Sequence, residues 1–189
     1  MKLRAERKYG DLRRLVVPQR VNEVEETLTA IDDFLDANEQ LCGWIREHVG
    51  IGLSQTIDQS DWADNLGLFS RHVALLDEAV DPVRKDQASV SFTVDGGLPA
   101  QSARLRRIDG AWRYDPEGGY SENLPAAFHE LARGLDRVRD DLESGRPSAA
   151  ALRDNPDVLV EKVKDRLRRG VSLLSKARAA AEPASESQP

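Results

Sequence analysis

The chain has 189 residues, enough for one ordinary domain that buries a core without disulfides or metals, with little room for a second. Hydrophobic residues at 40% and charged residues at 32%, with no run of eighteen or more apolar positions, describe a soluble globular chain and exclude a transmembrane helix. Aromatics at 5% leave Val, Leu and Ala to fill the interior, and the single Cys42 excludes an internal disulfide framework and a cysteine zinc site.

Residues 1–20 carry seven Lys/Arg (Lys2, Arg4, Arg7, Lys8, Arg13, Arg14, Arg20) against Glu6 and Asp11, a charge of +5. With −6 in total, the rest of the chain carries −11. Such a basic arm suits anionic membrane, a nucleic-acid backbone or an acidic partner, and its plainer reading is a frayed, solvated terminus. The acidic body argues against nucleic acid, because phosphate binding needs a positive footprint. The charged start lacks the apolar stretch of a signal peptide, so a cytoplasmic location fits, as does an extracytoplasmic one after removal of an anchor.

From Val21 the apolar positions Val21, Val24, Leu28, Ile31, Leu35, Cys42, Ile45 and Val49 recur at three-four spacing. This predicts a helix over 21–49, about 43 Å long if unbroken, with a kink near Ala37-Asn38. Its outer face is acidic, from Glu23 to Glu39. Residues 50–59, GIGLSQTIDQ, show no helical period and predict a loop or a short irregular strand, and Ser60 caps a short helix through Leu66 closed by Gly67.

Four β-like segments follow, RHVALLDEAV, ASVSFTVDGG, PAQSARLRRIDG and AWRYD, punctuated by Asp81-Pro82, Asp95-Gly96-Gly97 and Asp109-Gly110. They predict an antiparallel meander. A two-residue turn at Asp109-Gly110 pairs Ile108 with Ala111, Arg107 with Trp112, Arg106 with Arg113, Leu105 with Tyr114 and Arg104 with Asp115. One face then carries Ala88, Val90, Phe92, Val94, Ala103, Leu105, Trp112 and Tyr114. The other carries Ser89, Ser91, Thr93, Arg104, Arg106 and Arg113, and Arg107 at the rim can lie over the Trp112 ring.

Beyond a PEGGY loop, Phe128, Leu131, Leu135, Val138 and Leu142 predict a helix ended by Gly145 and Pro147. A short helical turn is expected over 148–153, and Asn155-Pro156 opens a last helix carrying Val160, Val163, Leu167 and Leu174. The ending AEPASESQP is compositionally disordered. The chain thus divides into a basic arm (1–20), an α+β domain (21–118), a helical extension (119–181) and a tail (182–189).

A long helix, a short helix and a meander finishing in LRRIDGAWRYD resembles the nuclear-transport-factor-2-like (NTF2-like) superfamily over roughly residues 21–116. This is the cone-shaped fold of ketosteroid-isomerase-like and SnoaL-like proteins, whose bacterial members often carry a basic strand, Asp-Gly and Trp in the late hairpin. The resemblance implies an α+β fold with a long N-terminal helix packed on a four-stranded antiparallel meander. The family's early β-hairpin is not evident in residues 50–59, and residues 119–181 form a helical extension outside the usual fold.

Catalytic members place Asp, His or Tyr inside the cone, where an apolar wall perturbs its pKa. Here Tyr114 is the only titratable group on the inward strand face, and His48 with Trp44 can project from the first helix. The ligand-pocket candidates are therefore Trp44, His48, Phe92, Trp112 and Tyr114. The plainer readings are a core aromatic for Tyr114 and a helix-end partner of the dipole for His48. His72 with Asp58 and Asp61 matches no metal spacing, and no nucleotide or hydrolase motif is present. No catalytic residue, metal ligand or cofactor is assigned.

Arg104, Arg106 and Arg113 converge on the polar sheet face, either neutralised there by Asp115 and other acids or forming a docking face for an acidic partner. The expected function is a non-catalytic accessory or protein-interaction module, acting on a protein partner or on itself as a homodimer, with weak anionic-membrane contact through residues 1–20. The alternatives are a binding protein for a small apolar ligand and an enzyme using Tyr114 or His48.

Overall fold

The computed structural model describes residues 9–64, 73–94, 101–116 and 123–181. In chain order these form helices α1 (Val21–His48), α2 (Ile51–Ile57) and α3 (Asp61–Asp64), then strands β1 (Val73–Arg84), β2 (Gln87–Val94), β3 (Gln101–Ile108) and β4 (Ala111–Tyr114). Helices α4 (Asn123–Glu143), α5 (Ala149–Asp154) and α6 (Asp157–Ala181) follow. The fold mixes helix and sheet behind a long N-terminal helix. No helix among the described residues is long and apolar enough to cross a membrane. Contacts gather into two units, one of Met1–Leu28 with Asp61–Tyr120 and one of Thr29–Ser60 with Ser121–Pro189.

In the first unit the strands pair antiparallel in chain order. Pairing is regular across β2, β3 and β4, but the β1 ladder shifts register between Leu75 and Val80 and again between Pro82 and Arg84. The hairpin pairs Ile108 with Ala111, Arg107 with Trp112, Arg106 with Arg113 and Leu105 with Tyr114, in the register read from the sequence. Asp109 (φ 52°) and Gly110 (φ 80°) both take left-handed backbone, the mirror-image turn whose twist matches the flanking strands.

One expected turn is overturned. Asp81-Pro82 does not punctuate the strands: β1 runs through both to Arg84, and the reversal falls at Lys85-Asp86. The physical reason is position, since β1 pairs with β2 alone, and an edge strand tolerates a residue without an N–H. The expected Asp95-Gly97 turn, the Leu66-Gly67 helix end, the PEGGY glycines, His72 and the 182–189 tail lie outside the described residues.

The described part of the basic arm is not a frayed terminus. Residues Tyr9–Arg14 and Pro18–Arg20 form 3-10 helices, with Leu12, Val16 and Val17 buried. Between them Val16 bridges Tyr114 in parallel, Tyr114 N donating to Leu15 O at 2.7 Å and Val17 N to Tyr114 O at 3.0 Å. The arm thereby satisfies main-chain groups on the outer edge of β4, which an exposed edge strand leaves unpaired.

In the second unit α1 from Thr29 onward belongs with the C-terminal helices. The Phe34 and Phe128 rings, both fully buried, meet edge to face at 5.4 Å. Helices α4 and α6 cross at glycines: a Cβ on Gly134 would stand 2.8 Å from Arg166 O, and one on Gly170 would stand 2.6 Å from Leu131 Cγ. The expected helix stops hold, with Gly145 at φ 72° just past α4 and the Ser148 hydroxyl accepting from Ala151 N at the start of α5.

One further expectation falls here. Residues 50–59 are neither loop nor strand: Ile51–Ile57 is helix α2. Its local sequence has a weak period, and the helix is fixed by contacts to α1 instead. Ser54 Oγ donates to Cys42 O at 2.9 Å, Asn38 Nδ2 donates to Asp58 Oδ1 at 2.7 Å and Gln59 N donates to Asn38 Oδ1 at 3.0 Å. Asn38 is therefore a polar link between α1 and the residues that end α2, and α1 is helical on both sides of it.

Candidate functional site

Strand alternation builds the site. The ladders place Ser89 beside Arg104, Ser91 beside Ser102 and Gln87 beside Arg106, so one face of the sheet carries hydroxyls, an amide and guanidinium groups. Arg104 and Arg106 are exposed on it. Arg106 forms an ion pair with Asp115, a buried carboxylate whose own N–H donates to Arg104 O at 3.0 Å.

Arg113, directly across the ladder from Arg106, is part-buried and meets no carboxylate among the described residues. Its Nη1 donates to Arg13 O at 3.1 Å, and its buried Nε has no partner among the described residues. A like-charged pair facing across a ladder is unfavourable, and a desolvated guanidinium atom without an acceptor more so. Arg113 therefore brings to this face a positive charge that no carboxylate among the described residues meets.

A cavity of about 210 Å³ opens beside these groups, lined by Gln87, Ser89, Ser102, Arg104 and Asp115 of the polar face together with Ala88, Ala103, Tyr114 and Pro116. Asp115 thus closes one wall while remaining bound to Arg106.

On the opposite face Phe92 is buried and Tyr114 part-exposed. Trp112 departs from its expected place on a covered apolar face: it is 39% exposed. It stands two residues from the turn on a strand of four, and Arg107 lies 6.0 Å over its ring while donating from Nε to Gly110 O at 3.4 Å. Trp44 and His48 belong to the second unit, where their rings stack at 4.4 Å and His48 Nδ1 lies 2.9 Å from Trp44 O. His48 is an exposed helix-end residue. The structure thus joins Trp44 to His48 and Arg107 to Trp112, and it describes the two halves of the proposed pocket in different units.

Sequence reasoning missed two features. The Arg13 carbonyl reaches Arg113 across 100 residues, a long-range contact without local signal. In the second unit, Asp33, Asp36, Gln40, His129, Arg133 and Asp136 line an open cleft of about 330 Å³, with His129 Nδ1 3.7 Å from Asp33 Oδ2. The three- and four-residue spacing of these acids was its only trace. Among the described residues no three His, Cys, Asp or Glu side chains are placed to hold a metal. Burial pushes the Cys42 thiol up to about 11, so it is inert as a nucleophile. No protein-family model, curated protein or solved structure matches the chain.

Proposed function

We propose that the chain is a non-catalytic protein-interaction module on an NTF2-like fold, which docks an acidic partner through the sheet face bearing Arg104, Arg106 and Arg113. The assignment to that fold rests on the long helix, the short helix and the Asp-Gly hairpin with its following Trp. One observation carries the docking role: Arg113 is part-buried opposite Arg106 and, among the described residues, bonds to the Arg13 carbonyl and to no carboxylate. A guanidinium that no carboxylate among the described residues meets attracts carboxylates and steers their approach.

The partner is another protein or a second copy of this chain, whose body carries −11 outside residues 1–20. The cavity beside Tyr114 has a mixed wall, Gln87, Ser89, Ser102, Arg104 and Asp115 sharing it with Ala88, Ala103, Tyr114 and Pro116, so it does not single out the apolar-ligand alternative. Contact of the basic arm with anionic membrane remains a lesser part of the proposal.

The test is in-cell photo-crosslinking with benzoylphenylalanine at Ser102, on the face, and at Arg168, on exposed α6 surface. A discrete adduct at Ser102 alone, abolished when Arg104, Arg106 and Arg113 become Glu, is the expected result. Equal labelling at both sites, or an adduct indifferent to the charge reversal, overturns the docking role.

A further inference from the structure

We infer that residues 9–17 of the basic arm are an autoinhibitory strap, closed over Arg113 and the outer edge of β4, and that an acidic partner engages Arg113 when the strap lifts. This rests on the interaction reading above and adds its regulation. Among the described residues the strap meets the sheet through one isolated bridge, Val16 to Tyr114, where β3 and β4 share four consecutive pairs. Its two main-chain bonds across that edge both end on Tyr114, and a third bond runs from Arg113 Nη1 to Arg13 O.

Lifting the strap leaves its own structure intact. The 3-10 helix Tyr9–Arg14 and the bonds from Leu15 N and Val16 N to Leu12 O lie within it and move with it. It parts from α1 at Val17, extended at ψ 138° ahead of Pro18, and Arg20, paired with Glu23 at 2.8 Å, keeps the far side of that hinge on α1. Burial of Leu12, Val16 and Val17 closes the strap, while Leu15 stays 51% exposed and the exposed Arg13 and Arg14 meet no carboxylate among the described residues.

The closed strap also leaves the buried Arg113 Nε without an acceptor among the described residues, a cost that the open form sheds once water reaches it. A carboxylate that pairs with Arg113 therefore binds the open form better and shifts the population toward it.

The test follows amide hydrogen exchange of the full chain by NMR, with rates corrected for local sequence. Val17 N–H and Tyr114 N–H report the strap, and Asp115 N–H, held by Arg104 O at 3.0 Å on the inner edge of the hairpin, reports the sheet. The first two are expected to exchange together, at least about tenfold faster than Asp115, because a local opening is more populated than loss of the sheet. Val16→Ser should speed both further, leave Asp115 unchanged as a sign of an intact sheet, and bind an oligoglutamate peptide severalfold more tightly than the parent. That peptide should in turn speed Val17 and Tyr114 in the parent, since the coupling is reciprocal, and should not do so in Arg113→Gln.

Equal protection of the three amides overturns the strap. So does oligoglutamate binding indifferent to Val16→Ser, or acceleration that persists in Arg113→Gln, which places the peptide on the cations of the arm itself. The strap can fail in any of these ways while crosslinking at Ser102 still reports a partner, and loss of that crosslink with Val17 and Tyr114 opening together sinks the interaction reading instead.

Discussion

Replacing Gly134 by Ala should destabilise the protein although it improves the helix. Ala is favoured over Gly inside a helix by about 1 kcal/mol, so local propensity alone predicts a gain. Against this, the new Cβ would lie 2.8 Å from Arg166 O and 2.9 Å from Leu167 Cδ2, and the first of these is main chain that cannot rotate away. Restoring ordinary contact moves α4 and α6 apart by roughly 0.6 Å, and a gap of that size forfeits a quarter or more of the dispersion energy of the atoms beside it. Leu131, Leu135 and Val138 of α4, and Val163 and Leu167 of α6, are the buried side chains exposed to that loss. Overpacking of this kind costs about 1–3 kcal/mol, leaving a net loss of up to about 2 kcal/mol after the propensity gain.

Gly170→Ala should act alike, its Cβ meeting Leu131 Cγ and Cδ2 at 2.6 Å, and the double variant should lose less than the sum because one separation relieves both clashes. Gly43→Ala, inside α1 near its C-terminal end with nothing within 4 Å of its Cβ, is the control and should gain up to about 1 kcal/mol. Urea unfolding followed by circular dichroism measures all four variants. A midpoint for Gly134→Ala raised as far as that of Gly43→Ala would refute the tight crossing of α4 and α6.

Two other substitutions test separate parts of the structure. Lys162 at 2.9 Å and Arg166 at 3.2 Å hold the part-exposed Asp141 carboxyl below its usual range, mainly through the Lys162 hydrogen bond. A depressed folded-state value means that the contribution is present above the unfolded value near 3.9 and fades as pH falls through the folded one. Asp141→Asn should therefore lower the urea midpoint at pH 7 and converge with the parent in acid, and a difference that widens on acidification contradicts this. Trp112→Ala should cost less than about 1 kcal/mol, against the 3–5 kcal/mol of a fully buried aromatic such as Phe128, because Trp112 is 39% exposed. Equal urea midpoint shifts for the two aromatics would contradict that exposure.

The sequence by itself determined the elements whose signals are local. Three-four spacing marked α1, α4 and α6, and Asp109-Gly110 set the hairpin register down to the pairing of Arg106 with Arg113, because the turn chemistry and the two-residue period of a strand leave no other alignment. It also named the guanidinium groups of the candidate face, since register decides which side chains share a surface.

Only the tertiary structure decided what lies outside such periods. Helix α2 depends on Asn38, Cys42 and Asp58, partners 12 to 21 residues distant from the atoms they hold, so its own letters read as a loop. Pro82 stays in a strand because β1 is an edge, and Trp112 is exposed because β4 ends so near its turn. Periodicity reports which face of an element is apolar, but which element covers that face, or leaves it open, is a property of the assembled chain.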